Sequence, residues 1–558
     1  MSGDYSLVSI LLDEFKARNT DNCDQATDFL AEYRDAKELR RPYNATYDQI
    51  SNYVSLRTPL FTNEDNKVNL YDVDRVTKLY DTSGLKFRNE LAGRFFSTLF
   101  SPTKQWFNLQ SLTGTAELTN ASEKAEKKYY QQCESICLER LVLANFYPKV
   151  HSMFLEYASH GMGILYGEVD KVKNNIKFKT ISFSSCFFLT NDEDSIDTCF
   201  RVINLKPRQA YQLFKDNDYV DPAIKNILKE MLIDERYRDM DQSFVHVVRP
   251  NIYDNNYTAL PFESAYIWID QGFVISKSGY KEFPYFIARW DSLPEQIYST
   301  GPGELCLADS RSLNQLLEYT FQNVKQKVRP AYQAPTDTFI SPISLLPDAI
   351  NLYEADRGYA QNLISPIQHG GDIETGVEFS RYLQMQIADK FSKDSLEEQK
   401  KAEMTATEFS GRELDRLQEL IPQYIRILSE FGYRLVSFIY NSYDELGLLP
   451  KKPDTIKSSN VVFISELAKA QERAGLSNLS NTIQDLLSLY QIKPEIADYI
   501  NGDNYARLVS LKHDAPIDVF NDEEAVQQVR QQRQQEQAQN QDLARVTELA
   551  KAKGTRPQ

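Results

Sequence analysis

Residues 309–328 read Asp309-Ser-Arg-Ser-Leu-Asn-Gln-Leu-Leu-Glu-Tyr-Thr-Phe-Gln-Asn-Val-Lys-Gln-Lys-Val328, and Arg329-Pro330 follows at once. Leu313, Leu316, Leu317, Phe321, Val324 and Val328 share one stripe of a 3.6-residue period, which predicts an amphipathic helix. Pro330 lacks the N–H that a further turn needs and stops it. The stretch 329–375 holds five prolines (Pro330, Pro335, Pro342, Pro347, Pro366) and a Gly370-Gly371 pair, yet keeps short apolar runs. That predicts a compact insertion of short strands and turns. A helix resumes near Val377 and runs towards Phe391. Two helices flanking an insertion can lie side by side, as a stalk with a small cap.

Working outward on the C-terminal side, Ser392 to Glu403 is a charged segment. Thr405-x-x-Glu408 is then a capping box, in which the hydroxyl accepts from a first-turn amide and the glutamate reaches back. Leu414, Leu417, Leu420, Ile421, Ile425, Leu428, Phe431, Leu435, Phe438 and Ile439 keep a helical period to about Leu446. Gly447 stands where a C-terminal cap belongs, and Pro422 is expected to kink the helix. From Glu523 on, the tail is rich in Gln, Glu, Arg and Ala. Its sparse apolar positions (Val526, Val529, Leu543, Val546, Leu549) suit packing against identical neighbours.

On the N-terminal side, helices are predicted over 24–41, ended by Pro42, over 74–100, and over Asn120–Tyr147 with Asn120 as N-cap. From Ile164 to about Ile287 the pattern turns β-rich: Phe178 to Phe188, Phe244 to Val248, Ala265 to Ile269 and Phe273 to Ser276. The fold class expected is α+β, mainly helical.

The 558 residues carry a formal net charge of −16, which argues against a protein that coats DNA through phosphate contacts. The start has no basic n-region, and no run approaches the ~20 apolar residues of a membrane helix. Six scattered cysteines include no Cys-x-x-Cys pair; Cys133 and Cys137, one turn apart, lack a second pair, so reduced thiols are expected. There is no Walker A motif and no His-Glu-x-x-His. His151, His160, His246, His369 and His513 show no metal-ligand spacing, and surface or satisfied core positions are expected for them. Gly161-x-Gly163-x-x-x-Gly167 has the wrong spacing for a phosphate loop and reads as a helix-ending turn entering a strand. Asp192-Glu193-Asp194 reads as a solvated turn. No catalytic residue, metal site or cofactor is expected, and the chain is not read as an enzyme.

Several segments, in order, resemble the head-to-tail connector (portal) family of podoviruses, the short-tailed phages. Leu79-Tyr-Asp-Thr-Ser-Gly84 leads into a helix with Leu91-Ala92 and then Pro102 and Trp106-Phe107. Gly301-Pro-Gly303 precedes the Leu313 helix and Pro330. Met404-Thr-Ala-Thr-Glu408 opens the long helix to Leu449-Pro450, and Asn521-Asp-Glu-Glu-Ala-Val526 opens the Gln/Arg-rich tail. The resemblance implies a dodecameric ring at one capsid vertex in the virion, assembled in the host cytoplasm. Its regions would be a wing (1–303), a first stem helix (304–328), a clip (329–375), a second stem helix (376–391), a tunnel loop (392–403), a further wing part with the kinked helix (404–510), and a crown or helical barrel (511–558). The role implied is a conduit for genome packaging and ejection. The implied partners are eleven further copies, scaffolding protein, the major capsid protein, the terminase large subunit, a tail adaptor, internal core proteins and the double-stranded DNA that passes through.

The family layout would turn Lys390, Lys393, Lys400 and Lys401 towards a channel, with Lys325, Lys327 and Arg329 as a second belt; the plainer reading is a solvated loop with surface lysines. The competing functions are another virion structural protein, such as a tail or internal-core component, which would lack the helix-insertion-helix stalk, and an enzyme, which would need a cluster of Asp, Glu, His or Cys.

Overall fold

In helix α2 (Thr20–Tyr53), the buried positions are Ala26, Phe29, Tyr33, Ala36, Arg40, Tyr47, Ile50 and Ser51, spaced three, four or seven apart for most of its length. Such a stripe needs a surface to cover, and α2 covers a sheet. The structure is a computed structural model that describes residues 7–56, 61, 77–111, 120–251, 260–291, 293–335, 344, 346, 349–353, 365–366, 373–392, 420–453, 459–463, 526 and 528–536. The chain divides into two units, residues 1–465 and 466–558. In the second unit, residues 528–536 are helical and exposed. All that follows concerns the first unit.

Helix α1 (Leu7–Arg18) precedes α2. Contrary to expectation, α2 does not end at Pro42 but continues to Tyr53. Proline deletes one bond to the turn before it; burial of Arg40 on one side and of Tyr47 and Ile50 on the other outweighs that loss. Of the helix expected over 74–100, residues 74–76 lie outside the described residues, the chain is not helical over 78–82, and helix α3 spans Ser83–Leu99. The Asp81 carboxylate accepts from the Ser83 amide and hydroxyl, both at 2.9 Å, and fixes the start there. Strand β1 (Phe107–Ser111) and helices α4 (Asn120–Leu143) and α5 (Phe146–His160) follow. The single helix expected over 120–147 is therefore two, broken where Asn145 adopts φ 55°.

The β-rich stretch is larger than its apolar runs suggest. It contains β2 (Met162–Asp170), β3 (Asn175–Ile181), β4 (Cys186–Thr190), β5 (Ile196–Leu205), β6 (Gln242–Pro250), β7 (Phe262–Trp268), β8 (Phe273–Tyr280) and β9 (Tyr285–Arg289). Two helices that the sequence reading missed interrupt it, α6 (Pro207–Phe214) and α7 (Pro222–Ile233). A signal was present: Asp221 caps α7 by accepting from the Ala223 amide at 2.7 Å, and Pro222 sits in the first turn. The strands form an antiparallel sheet in the order β4-β5-β6-β7-β8 and a second in the order β3-β2-β9.

Alternation along the five strands sorts their residues to two faces. Phe187, Phe200, Val245, Ile267 and Val274, one from each strand, pack with Ala26, Phe29, Tyr33 and Ala36 of α2. Phe244, Trp268 and Phe273, of the opposite parity, pack with Leu12 and Phe15 of α1, Phe214 of α6 and Ile227 of α7. Helix α2 thus crosses the whole sheet, and its polar side chains close both edges. Asn22 donates to the Val274 carbonyl (3.0 Å) and accepts from the Val274 amide (2.7 Å) on edge strand β8. Arg40 donates to the carbonyls of Phe183 (3.3 Å), Ser184 (2.8 Å) and Cys186 (2.7 Å) at the start of edge strand β4, its guanidinium 3.8 Å from the Phe187 ring centroid. Edge groups so engaged cannot recruit another strand.

The glycine run behaves as read. Gly161 ends α5 at φ 78° and hands over to β2. A Cβ on Gly301 would stand 2.3 Å from the Gly161 nitrogen, and one on Gly303 would stand 2.2 Å from the Ser159 carbonyl oxygen, so Gly301-Pro-Gly303 packs backbone to backbone against the end of α5.

Next come α8 (Pro302–Leu305), α9 (Leu307–Val328), three short strands, β10 (Tyr332–Pro335), β11 (Ile350–Tyr353) and β12 (Ser365–Pro366), and α10 (Ile373–Lys390). Helix α11 (Ile421–Arg426) passes through a π-helical turn (Ile427–Gly432) into α12 (Tyr433–Glu445). Gly447 follows at φ 66°, the cap anticipated. Pro422 falls in the first turn of α11, where its missing N–H costs little. The irregularity in the described part of this helix is the π turn, where Glu430 holds buried Arg289 at 2.8 and 3.0 Å. The capping box at Thr405 and Glu408 lies outside the described residues.

Strand β13 (Ser459–Phe463) pairs antiparallel with β1. Beside this pair, the Glu134 carboxylate of α4 accepts from the Leu109 amide (2.5 Å) and the Gln105 side chain (2.8 Å). Burial pushes this carboxyl up to about 7, against the pull of the two hydrogen bonds. The fold is mainly helical α+β, as expected.

Candidate functional site

The two helices expected on either side of the insertion lie side by side as α9 and α10. Gly376 lies against Thr320, where a Cβ would come within 3.0 Å of the threonine hydroxyl. Further along α10, Gln384 donates to the Asp81 carboxylate (3.2 Å), and Asn314 of α9 accepts from the adjacent Tyr80 amide (2.8 Å). The order of these contacts makes the helices antiparallel. The expected start of α10 at Val377 is moved back to Ile373. Between the helices, β10 pairs parallel with β11 and antiparallel with β12, giving the small insertion of strands that the prolines imply.

The apolar stripe of α9 is only partly used within the chain. Leu313 is buried, but Val328 is 74% exposed and Phe321 48%, and Tyr319, outside the stripe, is 56% exposed. On α10, Ser380, Leu383, Ile387 and Ala388 are buried, while Phe379 (50%) and Tyr382 (51%) stack on each other at the surface with centroids 5.9 Å apart. Exposed aromatics at i, i+3 on the far side of a buried stripe are a signal the sequence offered and the reading of it missed.

The basic residues singled out do not form one group. Lys325, Lys327 and Arg329 sit at the insertion end of α9, with the Lys325 ammonium 4.5 Å over the Phe321 ring centroid. Lys390 ends α10, its ammonium 3.9 Å from the Asp389 carboxylate. The antiparallel packing separates the two sets by most of a helix length, about 25 Å at 1.5 Å per residue. Lys393, Lys400 and Lys401 lie outside the described residues. The segment that carries them leaves from Ser392, whose carbonyl accepts from Arg94 of α3 at 3.0 Å.

Groups with chemical potential elsewhere are engaged in the core. His160 lies between the hydroxyls of Ser51 (3.1 Å) and Ser159 (2.9 Å), and His246 between those of Tyr285 (2.6 Å) and Ser264 (3.0 Å). Burial pushes both imidazoles down to about 3, so they stay neutral. Cys133 and Cys137 are buried, and desolvation raises the Cys133 thiol to about 11. No group of three or more His, Cys, Asp and Glu able to hold a metal occurs among the described residues. Asp192-Glu193-Asp194 is an exposed turn closed by Asn191, which accepts from the amides of Glu193 (3.1 Å) and Ser195 (2.9 Å).

The family whose pattern fits this chain is described as bacteriophage head to tail connecting protein, and the match runs over residues 26–519. The chain belongs to that family. Within it, the chain is similar to the portal protein of Salmonella phage epsilon15, 23% identical over 515 residues, which covers 89% of each chain. It is also similar to the probable portal protein of Bordetella phage BPP-1, 23% identical over 503 residues, 86% of this chain and 85% of that one. The match takes in the helix pair, the insertion and the segment after α10. Among the described residues no helix is long and apolar enough to cross a membrane.

Proposed function

We propose that this connector-family chain is the subunit of a closed ring, a dodecamer, at one vertex of a phage capsid, serving as the conduit for packaging and ejection of double-stranded DNA. The observation that carries the reading is the antiparallel pair α9–α10, which carries exposed Phe379, Tyr382 and Tyr319 beside a three-stranded insertion. A heterologous contact repeated around an axis closes into a ring, and apolar helix faces left open in one copy are covered by the next. In this reading residues 1–303 and 404–510 form the wing, 304–328 and 376–391 the stem, 329–375 the clip, 392–403 the tunnel loop and 511–558 the crown. The clip end takes the terminase large subunit during packaging and the tail adaptor afterwards. The wing meets scaffolding and major capsid proteins, and the crown meets internal core proteins. The role is structural rather than catalytic.

Native mass spectrometry and negative-stain imaging of the purified protein, without nucleotide, metal or DNA, test this. Closed rings with a central hole are expected. Monomers or dimers alone at micromolar concentration refute it. Phe379→Asp with Tyr382→Asp should shift the population from rings to monomers while leaving the fold intact by circular dichroism.

A further inference from the structure

The β2–β3 hairpin carries charge of the opposite sign to the chain as a whole. Lys171, Lys173, Lys177 and Lys179 fall within nine residues of a molecule whose formal net charge is −16. Ile176 and Phe178 are buried, and by alternation Lys177 and Lys179 take the outer face. All four lysines are exposed. Lys149, at the start of α5, is near enough to act on Lys179. The Lys179 ammonium is pushed down to about 8, first by partial desolvation and then by Arg201, Lys177 and Lys149. The carboxylates facing the group are Glu168, opposite Lys177 in the strand register, and Asp170. The latter is committed to the turn, accepting from the amides of Val172 (3.1 Å) and Lys173 (3.0 Å).

The hairpin is also held in place. Asn174 at φ 52° closes the tip, and Asn175 accepts from the Tyr443 hydroxyl at 3.0 Å. Gly167 lies so close to Phe438 that a Cβ would come within 2.9 Å of the ring. At the tip, between two lysines, Val172 is 97% exposed.

We propose that this hairpin is a docking surface for the backbone of duplex DNA, distinct from the basic residues of the helix pair and of the segment that follows it. Lys177 and Lys179, two residues apart on one face of a strand, are spaced by about 6.8 Å, so both ammonium groups can meet phosphates of the same DNA strand. A two-stranded ribbon fits a major groove about 12 Å wide, which would bring the lysines to the phosphates at its rim. Lysine without arginine supplies point charges for phosphate and no bidentate reading of bases. Protein interfaces favour aromatic residues and arginine and are poor in lysine, which sets an acidic protein partner second. The contact would be independent of sequence and weakened by salt.

The proposal does not depend on ring closure, and its test separates the two. A covalently closed circular plasmid cannot thread a closed ring, so its binding reads the outer surface of the full-length protein. Wild type should bind the plasmid at low salt. The variant Lys171→Gln, Lys173→Gln, Lys177→Gln, Lys179→Gln should bind at least tenfold more weakly, with the slope of log K against log salt smaller by about 3–4, at ~0.9 per phosphate. The corresponding four Lys→Arg changes should retain binding. If the quadruple Gln variant does not fold, Lys171→Gln with Lys173→Gln, at the solvated turn, should remove about half of that slope. Unchanged plasmid binding overturns the proposal. Unchanged plasmid binding with lost binding to poly-glutamate assigns the hairpin to an acidic protein instead. Unchanged plasmid binding with new self-association makes the lysines guards of edge strand β3.

Discussion

At the scale of single residues, Arg40 and Glu134 show what composition hides. Arg40 reads as one of many surface charges on an amphipathic helix, yet it is buried and joins α2 to three carbonyls at the start of β4. Charge-assisted bonds of this kind contribute about 1.5–3 kcal/mol each, offset by the cost of burying the cation. Arg40→Met should therefore destabilise the folded chain by about 2–4 kcal/mol in urea titration, and Arg40→Lys should not rescue it, because an ammonium lacks the planar fork. An unchanged midpoint for Arg40→Met would contradict this. Glu134 sets a pH dependence. Its folded pKa, about 7, lies above the ordinary value of 4.5, so between those values the folded state holds a proton that the unfolded chain has released. The stability this group contributes is full below 4.5 and is lost as pH rises through 7, by up to roughly 3 kcal/mol. Glu134→Gln should flatten the fall in stability between pH 5 and 7.5; an identical slope in both proteins would remove Glu134 as its source. The lysines after α10 give a third expectation. Lys393→Ala, Lys400→Ala, Lys401→Ala should leave rings intact but alter completion of packaging or retention of packaged DNA. Normal packaging and retention would take these lysines off the list of DNA-contacting residues.

At the scale of elements, the parts easiest to read in the sequence were those whose stops are chemical. Helix α9 ends at Val328, its expected end, two residues before Pro330, Gly161 ends α5, and Gly447 follows α12, because a missing N–H or a left-handed φ leaves the chain few alternatives. Elements defined by tertiary packing were harder. Nothing local says that α2 survives Pro42, since the decision is made by strands more than a hundred residues away. The short helices α6 and α7 were lost inside a stretch judged by its apolar runs, though Asp221-Pro222 marked one of them. Helix α4 was run into α5 because Asn145 is as acceptable in a helix as in the left-handed turn it makes. The helix pair and its insertion, by contrast, followed directly from one stripe and five prolines. The insertion carries the next expectation: deleting 333–370 should leave soluble rings that join a head yet cannot package or accept a tail. A deletion that packages normally would show that 329–375 is not the clip.

At the scale of the whole molecule, an acidic chain with local lysine clusters suits a body past which a polyanion moves. In the proposed conduit, general repulsion would keep the polyanion mobile while a few contacts guide it. Residues 523–553 are poor in large apolar residues; on the proposed layout, truncation after Asp522 should preserve ring assembly and impair genome retention or docking of internal core proteins. Loss of every ring in that truncation would place the segment in the subunit interface instead.

The path of α2 has a consequence for how the chain is made. The helix is complete at Tyr53, but the last strand it covers, β8, is not complete until Tyr280. At synthesis rates of about 5–20 residues per second, roughly 10–45 seconds separate the emergence of the helix from that of its full docking surface. Through that interval Phe29, Tyr33 and Arg40 have no completed sheet to settle on. A nascent chain of this kind would need a holding chaperone on its first fifty residues, and slowing translation between residues 60 and 280 should lower the soluble yield more than the same slowing after residue 300.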